Sequence, residues 1–174
     1  MKGVEILSER FLLRSLTPQD ATPRYSSWLD DAKIQEKLMT AKRPHAVADL
    51  RAYIAERLDR DAALFLGIFE RETLEHIGNL KYEPIVREQG YAVMGLLIGE
   101  EAWQGRGVAR EVLRASGFWL KSELGIKEIL LGVYKDNDAA IRAYEKSGFK
   151  ADPSNKIKAP LESCLAMSWL IEGP

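Results

Sequence analysis

A turn with two glycines reads Trp103-Gln104-Gly105-Arg106-Gly107-Val108-Ala109-Arg110, between an apolar run that ends at Ile98 and a helical pattern that begins near Gly107. Glycine lets the backbone take a positive φ and come close to a ligand. The first N–H groups of the helix that follows have no intrahelical partner, and such a helix start attracts anions. The stretch therefore predicts a binding site for a phosphate-bearing cofactor.

Three kinds of phosphate loop compete at this turn, and their spacing separates them. A nucleotide P-loop needs Lys followed by Ser or Thr after its last glycine, whereas this turn has Val108 and Ala109. A dinucleotide fingerprint would place Arg110 where a third small residue must pack, and no βαβ pattern surrounds it. The remaining pattern, Q-x-x-G-x-A over residues 104–109, resembles the acyl-CoA pyrophosphate loop of the GNAT N-acetyltransferases.

A second segment, about thirty residues downstream, resembles the other signature of this family, N-x-x-A-x-x-x-Y-x-K-x-G-F. Asn137 and Tyr144 are two helical turns apart, so both project from one face, and Ala140 leaves room between them for a narrow ligand. The resemblance implies that the Asn side chain meets the pantetheine arm and that the Tyr hydroxyl faces the thioester sulfur. Helix capping by Asn137 and by Lys146 with Gly148 explains part of the pattern as well.

The apolar strand at residues 91–99 feeds the glycine turn. It is apolar on both faces, which is typical of a central strand, and its Gly95 predicts a bulge or a close backbone approach. The resemblance implies that this strand splays from its neighbour and that pantetheine pairs with its backbone at Leu96, Leu97 and Ile98. A backbone N–H there could also stabilise the thioester oxygen as a one-donor oxyanion hole.

The reaction implied is the attack of a neutral primary amine on acetyl-CoA, through a tetrahedral intermediate, to give an amide and free CoA thiol. We predict Tyr144 as the catalytic residue that protonates the departing sulfur. The predicted acetyl-CoA site comprises Leu96, Leu97, Ile98, Gln104, Gly105, Arg106, Gly107, Val108, Ala109, Arg110, Asn137 and Ala140. No metal takes part in this mechanism.

The general base stays unassigned from the sequence. Many relatives carry an acidic residue about where this chain has Val93. Glu83, His76 and Glu100 are candidates, and a water chain is an equal alternative. A protein α-amine with a pKa near 8 needs less help than a lysine near 10.4, so a weak base would favour an α-amine acceptor.

Periodicity and turn signals predict the elements of a single domain over residues 1–174. Strands are expected at residues 11–16, 63–69, 76–83, 90–98, 129–134, from 149 onward and at 164–171. Helices are expected from Pro18 with Thr17 as cap, toward Leu38, and at 47–60, 107–123 and 137–147. With the resemblance, this order implies an α/β (α+β) GNAT fold: a mixed, mostly antiparallel sheet of about six to seven strands, with a splayed central pair and helices on both faces.

Composition excludes several function classes. With 25 Lys plus Arg against 26 Asp plus Glu, no net charge suggests nucleic acid or an anionic membrane as partner. Cys164 is the single cysteine, and the two histidines, His45 and His76, form no convincing metal-ligand cluster. The sequence has neither a signal peptide nor a membrane-spanning run, so we expect a cytoplasmic monomer or homodimer.

The acceptor is the least determined part of the function. Residues 7–14, 17–21, 28–29 and 77–79 resemble the branch that acetylates the N-termini of ribosomal proteins, the RimJ/RimL-like branch. This favours a protein N-terminal amine or a small-molecule amine; alternatives are a nucleotide-linked amino sugar, a polyamine, an aminoglycoside, or a silent acyl-CoA sensor. The acceptor wall is expected around Tyr25, Tyr53 and the loop at Arg43 and His45, with Trp28, Tyr82 and Glu83 as substrate-binding residues.

Overall fold

The structure is a computed structural model that describes residues 1–37, 46–154, 156–157 and 162–172. The strands are β1 (Glu5–Leu7), β2 (Phe11–Ser15), β3 (Leu64–Glu70), β4 (His76–Val86), β5 (Tyr91–Ile98), β6 (Glu128–Tyr134), β7 (Lys150–Ala151) and β8 (Cys164–Leu170). The α-helices are α1 (Pro23–Asp30), α2 (Ala32–Gln35), α3 (Val47–Leu58), α4 (Val108–Leu124) and α5 (Asp138–Lys146). Short 3-10 turns cover Pro18–Asp20, Arg87–Gln89 and Glu101–Trp103.

The strands form one sheet in the order β1-β2-β3-β4-β5-β6-β8-β7. Neighbours are antiparallel except for β5 and β6, which run parallel. The mixed, mostly antiparallel sheet and the meander of β3, β4 and β5 are confirmed. The described part of the chain has eight strands, more than the six to seven expected, because β1 is a three-residue edge strand too short to show an alternating pattern.

The two central parallel strands separate after three residues. β5 and β6 pair from Tyr91 opposite Glu128 to Val93 opposite Leu130, and no pairing follows in either strand's second half. β6 keeps its pairing with β8 as far as Tyr134, so only the side that faces β5 is left open. The predicted splayed pair is therefore confirmed, and it opens a cleft through the middle of the sheet.

The bulge lies in a different strand from the one expected. The register of β4 against β5 shifts between Tyr82 and Ile85, at Glu83 and its cis peptide bond to Pro84, whereas Gly95 pairs regularly with Lys81. A Cβ built on Gly95 would meet no atom within 4 Å. The prediction of a bulge at Gly95 was therefore wrong, whereas the open space at this glycine, in the cavity lining, is compatible with a close approach to its backbone.

The first predicted helix is divided. Thr17 begins the 3-10 turn, where the Asp20 carboxylate accepts from its backbone N–H at 2.7 Å, and α1 starts only after Thr22, whose hydroxyl accepts from Tyr25 N. Pro23 explains the break, because proline has no N–H to continue a helix but suits a first helical position. The second helical piece is α2, and Leu38 lies outside the described residues.

Two apolar cores cover the two faces of the sheet. One packs α4 through Val112, Leu113 and Leu120, and the other packs α1 and α3 through Leu29 and Ile54. Helices on both faces are thereby confirmed, and the cleft between β5 and β6 lies between these layers. In the ranges described above, no helix combines the length and apolar character needed to cross a membrane.

Candidate functional site

One cavity of about 1120 Å³ runs through the cleft and reaches both faces of the sheet. Its lining includes these residues predicted from the sequence: Leu96, Leu97, Ile98, Gln104, Gly105, Gly107, Val108, Ala109, Arg110, Asn137, Ala140, Tyr144 and Glu83. Arg106, Trp28 and Tyr82 are not among the lining residues. Two motifs about thirty residues apart in the chain are thus brought to one cavity.

The glycine turn ends at Gly107, which caps α4 with φ of 77° and no side-chain cap. The first helical hydrogen bond of α4 runs from Glu111 N to Gly107 O, so Val108, Ala109 and Arg110 keep N–H groups without a helical partner. A Cβ at Gly107 would have only one atom within 4 Å, a guanidinium nitrogen at 3.9 Å. The predicted positive φ is confirmed, and the space and the free donors fit a phosphate group.

Side-chain hydrogen bonds stabilise the glycine turn. The Glu111 carboxylate accepts from Ser8 Oγ at 2.7 Å, from Arg10 N at 2.7 Å and from Arg10 Nε at 2.8 Å. Arg10 also donates to the Arg106 carbonyl at 3.2 Å, which places Arg106 in the support of the turn. Gln104 Nε2 donates to Ile98 O at 3.1 Å and ties the turn to the end of β5.

The three predicted residues of β5 differ in the direction that their backbone N–H and C=O groups face. Gly99 N donates to Ile77 O of β4 at 2.9 Å, and antiparallel neighbours alternate, so the polar backbone groups of Leu97 also face β4. Those of Leu96 and Ile98 face the cleft. Because Gln104 already bonds to Ile98 O, the groups left for a ligand are the Leu96 N–H and C=O and the Ile98 N–H.

Two side chains of the second motif face the same cavity. Asn137 caps α5 with Oδ1, which accepts from Ala140 N at 3.3 Å, and its Nδ2 is left for other partners. Tyr144 is half-buried, with its ring centre 5.7 Å from that of Phe149, and its hydroxyl has no hydrogen-bond partner among the described residues. Burial raises the pKa of Tyr144 to about 12, so its hydroxyl stays protonated at neutral pH.

Glu83 lies in a cluster of cations. Its carboxylate is 2.9 Å from Arg57 Nε, 2.9 Å from Arg60 Nη1 and 3.2 Å from Lys81 Nζ. Burial on its own would raise the pKa of Glu83, but the charges of Lys81 and Arg57 lower it below its ordinary value. An ionised, ion-paired carboxylate of low pKa is a poor proton acceptor, so Glu83 is unsuited to be the general base.

The other two candidate bases lie outside the cavity lining. His76 is packed against the Phe69 ring at 4.7 Å, and burial lowers its pKa. Glu100 accepts from Arg24 Nε at 2.6 Å and from Trp28 Nε1 at 2.8 Å, and the bond from Arg24 lowers its pKa. Both groups are therefore committed to structural contacts.

The structure corrects two of the predicted substrate residues. Trp28 is 5% exposed and packs so closely on Gly99 that a Cβ there would lie 2.0 Å from the indole. Tyr82 is fully buried, its hydroxyl is 2.8 Å from Ser116 Oγ of α4, and burial raises its pKa. Both are core residues: Trp28 belongs to the apolar core beneath α1, and Tyr82 points away from the cavity because neighbouring strand positions face opposite sides and only one face of β4 meets the cavity. Arg43 and His45 lie outside the described residues.

Tyr25 and Tyr53 line the cavity, as expected, and so do two β4 residues that were not predicted, Asn79 and Lys81. They alternate with buried Leu80 and Tyr82. This polar and apolar alternation is the signal that could have identified them, although it also describes an ordinary solvated face. Among the described residues, no group of His, Cys, Asp and Glu side chains is placed to hold a metal ion.

A cleft between parallel strands, a glycine turn that opens a helix and a tyrosine hydroxyl without a partner among the described residues together fit an acyl-CoA-dependent transferase. Residues 10–150 match the family described as the acetyltransferase (GNAT) domain, and the chain belongs to this family. It is accordingly an acetyl-CoA-dependent acyltransferase.

Two Bacillus subtilis relatives are described as uncharacterized N-acetyltransferases. YoaA is 26% identical over 149 residues, covering 83% of this chain and 82% of its own. YokL, derived from the SPbeta prophage, is 26% identical over 141 residues, covering 81% and 76%.

Solved structures share the fold over almost the whole length. RimL, a ribosomal L7/L12 alpha-N-protein acetyltransferase in complex with coenzyme A, has a TM-score of 0.80 at 18% identity, covering 96% of this chain and 98% of its own. The Vibrio cholerae spermidine N-acetyltransferase in complex with CoA and spermine has a TM-score of 0.78 at 18% identity, covering 92% and 95%.

Proposed function

We propose that this chain transfers the acetyl group of acetyl-CoA to the α-amine of an acceptor such as a protein N-terminus. The observation that carries the proposal is that the start of α4, the open edge of β5 and Tyr144 line one cavity. A helix start suits phosphate, an open strand edge suits an amide-bearing arm, and a protonated hydroxyl suits a leaving thiolate.

The residues present fit acetyl-CoA. The free N–H groups of Val108, Ala109 and Arg110 would hold the pyrophosphate, and the cleft-facing groups of Leu96 and Ile98 would pair with the pantetheine amides. When bound, the cofactor supplies an activated thioester. The Leu96 N–H would stabilise negative charge on the thioester carbonyl oxygen as a single oxyanion donor, which leaves the Leu96 C=O and the Ile98 N–H for the pantetheine amides.

Tyr144 is proposed as the general acid. Its hydroxyl has no competing acceptor among the described residues, and its raised pKa of about 12 keeps the proton in place until the thiolate leaves. A thiol has an ordinary pKa near 8.5, so the thiolate becomes a good proton acceptor only as the bond to sulfur breaks. The proton would therefore move late in the reaction.

The choice of an α-amine rests on the lack of a suitable buried base among the described residues. Val93 is apolar, Glu83 is ion-paired, the Asp31 carboxylate caps α2, and Glu101 is exposed in the 3-10 turn after β5. At pH 7.5 an amine with a pKa near 8 is roughly one quarter neutral, whereas one near 10.4 is about 0.1% neutral. An α-amine can thus enter the reaction as the free base without strong assistance.

The charges of the cavity argue against a polyamine acceptor. The lining contains Lys33, Lys37 and Lys81 against Asp31, Glu83 and Glu101, and the carboxylates of Asp31 and Glu83 already have partners. A polycation would meet these ammonium groups with Glu101, at the start of the 3-10 turn after β5, as the one unpaired carboxylate among the described lining residues. Like charges brought together in a site of limited solvation are strongly unfavourable.

The test is release of free CoA thiol from acetyl-CoA at several pH values. The panel comprises peptides with different N-terminal residues, spermidine, an aminoglycoside and a nucleotide-linked amino sugar. We expect turnover with peptides and a rate that rises as the α-amine loses its proton. Turnover confined to another class would overturn the acceptor, and tight acetyl-CoA binding with no release from any amine would favour a sensor.

A further inference from the structure

Helix α5 and its cap present two rows of side chains to the cavity. The first row, Asn137, Ala140 and Tyr144, belongs to the second sequence motif. The row beside it contributes Arg142 and Lys146, which also line the cavity. Because these two cations are four positions apart on a helix, they are neighbours on its surface. The part of α5 that faces the cavity therefore carries two positive charges that neither the motif nor the proposed reaction uses.

Both cations are available to a ligand. Arg142 and Lys146 are exposed, and neither forms a hydrogen bond or an ion pair with another described residue. Asp138, one helical turn before Arg142, is not paired with it. Glu101, the unpaired carboxylate of the lining, lies in the 3-10 turn after β5 and not on this helix. The chemistry that these two side chains select is that of an anion.

Acetyl-CoA carries its negative charge in two places, the pyrophosphate and the 3′-phosphate of the adenosine. The pyrophosphate has donors at the start of α4, in the free N–H groups of Val108, Ala109 and Arg110. The 3′-phosphate is a monoester, with a charge of about −1.5 to −2 at neutral pH. The start of α5 does not suit it, because Asn137 caps this helix and Asp138 adds negative charge there. The 3′-phosphate therefore needs cationic side chains.

We propose that Arg142 and Lys146 bind the 3′-phosphate of acetyl-CoA, so that the protein discriminates against cofactors that lack this phosphate. Helices α4 and α5 pack against each other, so a cofactor that bends at its pyrophosphate reaches both. A guanidinium binds two phosphate oxygens at once, and the lysine ammonium adds a point charge. The inference rests on the proposed function and specifies the cofactor half of the same cavity.

The test is calorimetric binding of acetyl-CoA and of acetyl-3′-dephospho-CoA, which differ only in this phosphate. The readout is the ratio of their two dissociation constants. The measurement needs no acceptor, so it does not depend on which amine the enzyme uses. Unfolded protein lowers the stoichiometry of binding and leaves the dissociation constant unchanged, so partial misfolding of a variant cannot mimic the effect.

Arg142→Gln and Lys146→Gln each remove one positive charge and keep a residue that favours helix. We expect the wild type to bind acetyl-CoA about 10-fold more tightly than the dephospho form, each variant to reduce this preference about threefold, and the double variant to abolish it. Affinity for the dephospho form should be the same in all of them. Added NaCl should also reduce the preference of the wild type, because salt screens exposed charges.

Arg114→Gln is the matched control. Arg114 is an exposed cation of α4 outside the cavity lining, so its loss changes the net charge equally and should leave the ratio at the wild-type value. Equal affinities of the wild type for the two cofactors would overturn this inference and leave the proposed function standing. A preference that is undiminished in the double variant would do the same. Failure of the wild type to bind either cofactor would overturn the proposed function, and the inference with it.

Discussion

Tyr144→Phe removes one oxygen from the cavity and tests the proposed acid directly. The hydroxyl makes no hydrogen bond to a described residue, so its loss leaves no partner unsatisfied and should change the free energy of unfolding by less than about 1 kcal/mol. A positioned general acid contributes roughly 10²- to 10⁴-fold to a rate. We therefore expect kcat to fall by that factor while acetyl-CoA affinity and melting temperature are nearly unchanged.

Three measurements test this prediction: release of CoA thiol gives kcat, calorimetry gives the affinity for acetyl-CoA, and thermal melting gives the melting temperature. Tyr134→Phe is the matched control, because Tyr134 lies at the end of β6 and outside the cavity lining, and it should keep full turnover. If kcat of Tyr144→Phe stayed within twofold of the wild type, the assignment of the acid would be refuted.

The pH dependence gives an independent check on the same residue. The acid form of Tyr144 is lost only as the pH rises through its pKa of about 12. The wild type should therefore show no loss of kcat from this group up to about pH 10. A decline centred near pH 10 that disappears in Tyr144→Phe would contradict the raised pKa.

Three other substitutions test the cofactor turn, the cavity wall and the cation cluster. Gly107→Glu should weaken acetyl-CoA binding at least about tenfold in calorimetry, because it adds bulk and negative charge at the phosphate site. Gly125→Glu, at the other end of α4 and also at positive φ, should not, and equal affinities would refute the turn assignment. Gly99→Ala should lower the free energy of unfolding by about 1–3 kcal/mol, because the added methyl group would overlap with the buried indole of Trp28. Gly95→Ala is the control and should not lower it in this way, because open space lies where its Cβ would be. Equal denaturant midpoints for the two variants would count against this packing. Glu83→Gln should cost on the order of 1–3 kcal/mol at pH 7 by leaving cations unpaired. Since the folded pKa of Glu83 lies below its ordinary 4.5, this contribution is present above that pH and is lost as the pH falls through the folded pKa; a difference that persists in strong acid would argue against the ion pairs.

Helix ends and caps could be predicted from the sequence, because a few neighbouring residues determine them. Gly107 and Gly125 mark the two ends of α4 because each takes a positive φ, and Asn137 caps α5 as its position suggested. The bulge was assigned to the wrong strand, since Gly95 suggested a site that register places at Glu83 and Pro84. Register depends on the partner strand, which a single segment does not contain.

The supports of the site are long-range. Arg10 and Glu111 are 101 positions apart, yet together they hold the glycine turn. Glu83 was a reasonable candidate base from the sequence, but three cations surround it: Arg57 near the end of α3, Arg60 two residues beyond that helix, and Lys81 on β4. Such contacts change a side chain's pKa and availability, and no local pattern reports them.

The sequence by itself determined the class of this protein, because phosphate binding at a helix start and the spacing of Asn137 and Tyr144 are properties of short segments. Only the tertiary structure decided how these segments form one site. The separation of β5 from β6 after Val93 brings them to one cavity, and β4 adds Asn79 and Lys81 to its lining. The physical reason is that strand pairing, burial and hydrogen-bond satisfaction are relations between distant residues, which exist only once the chain has folded.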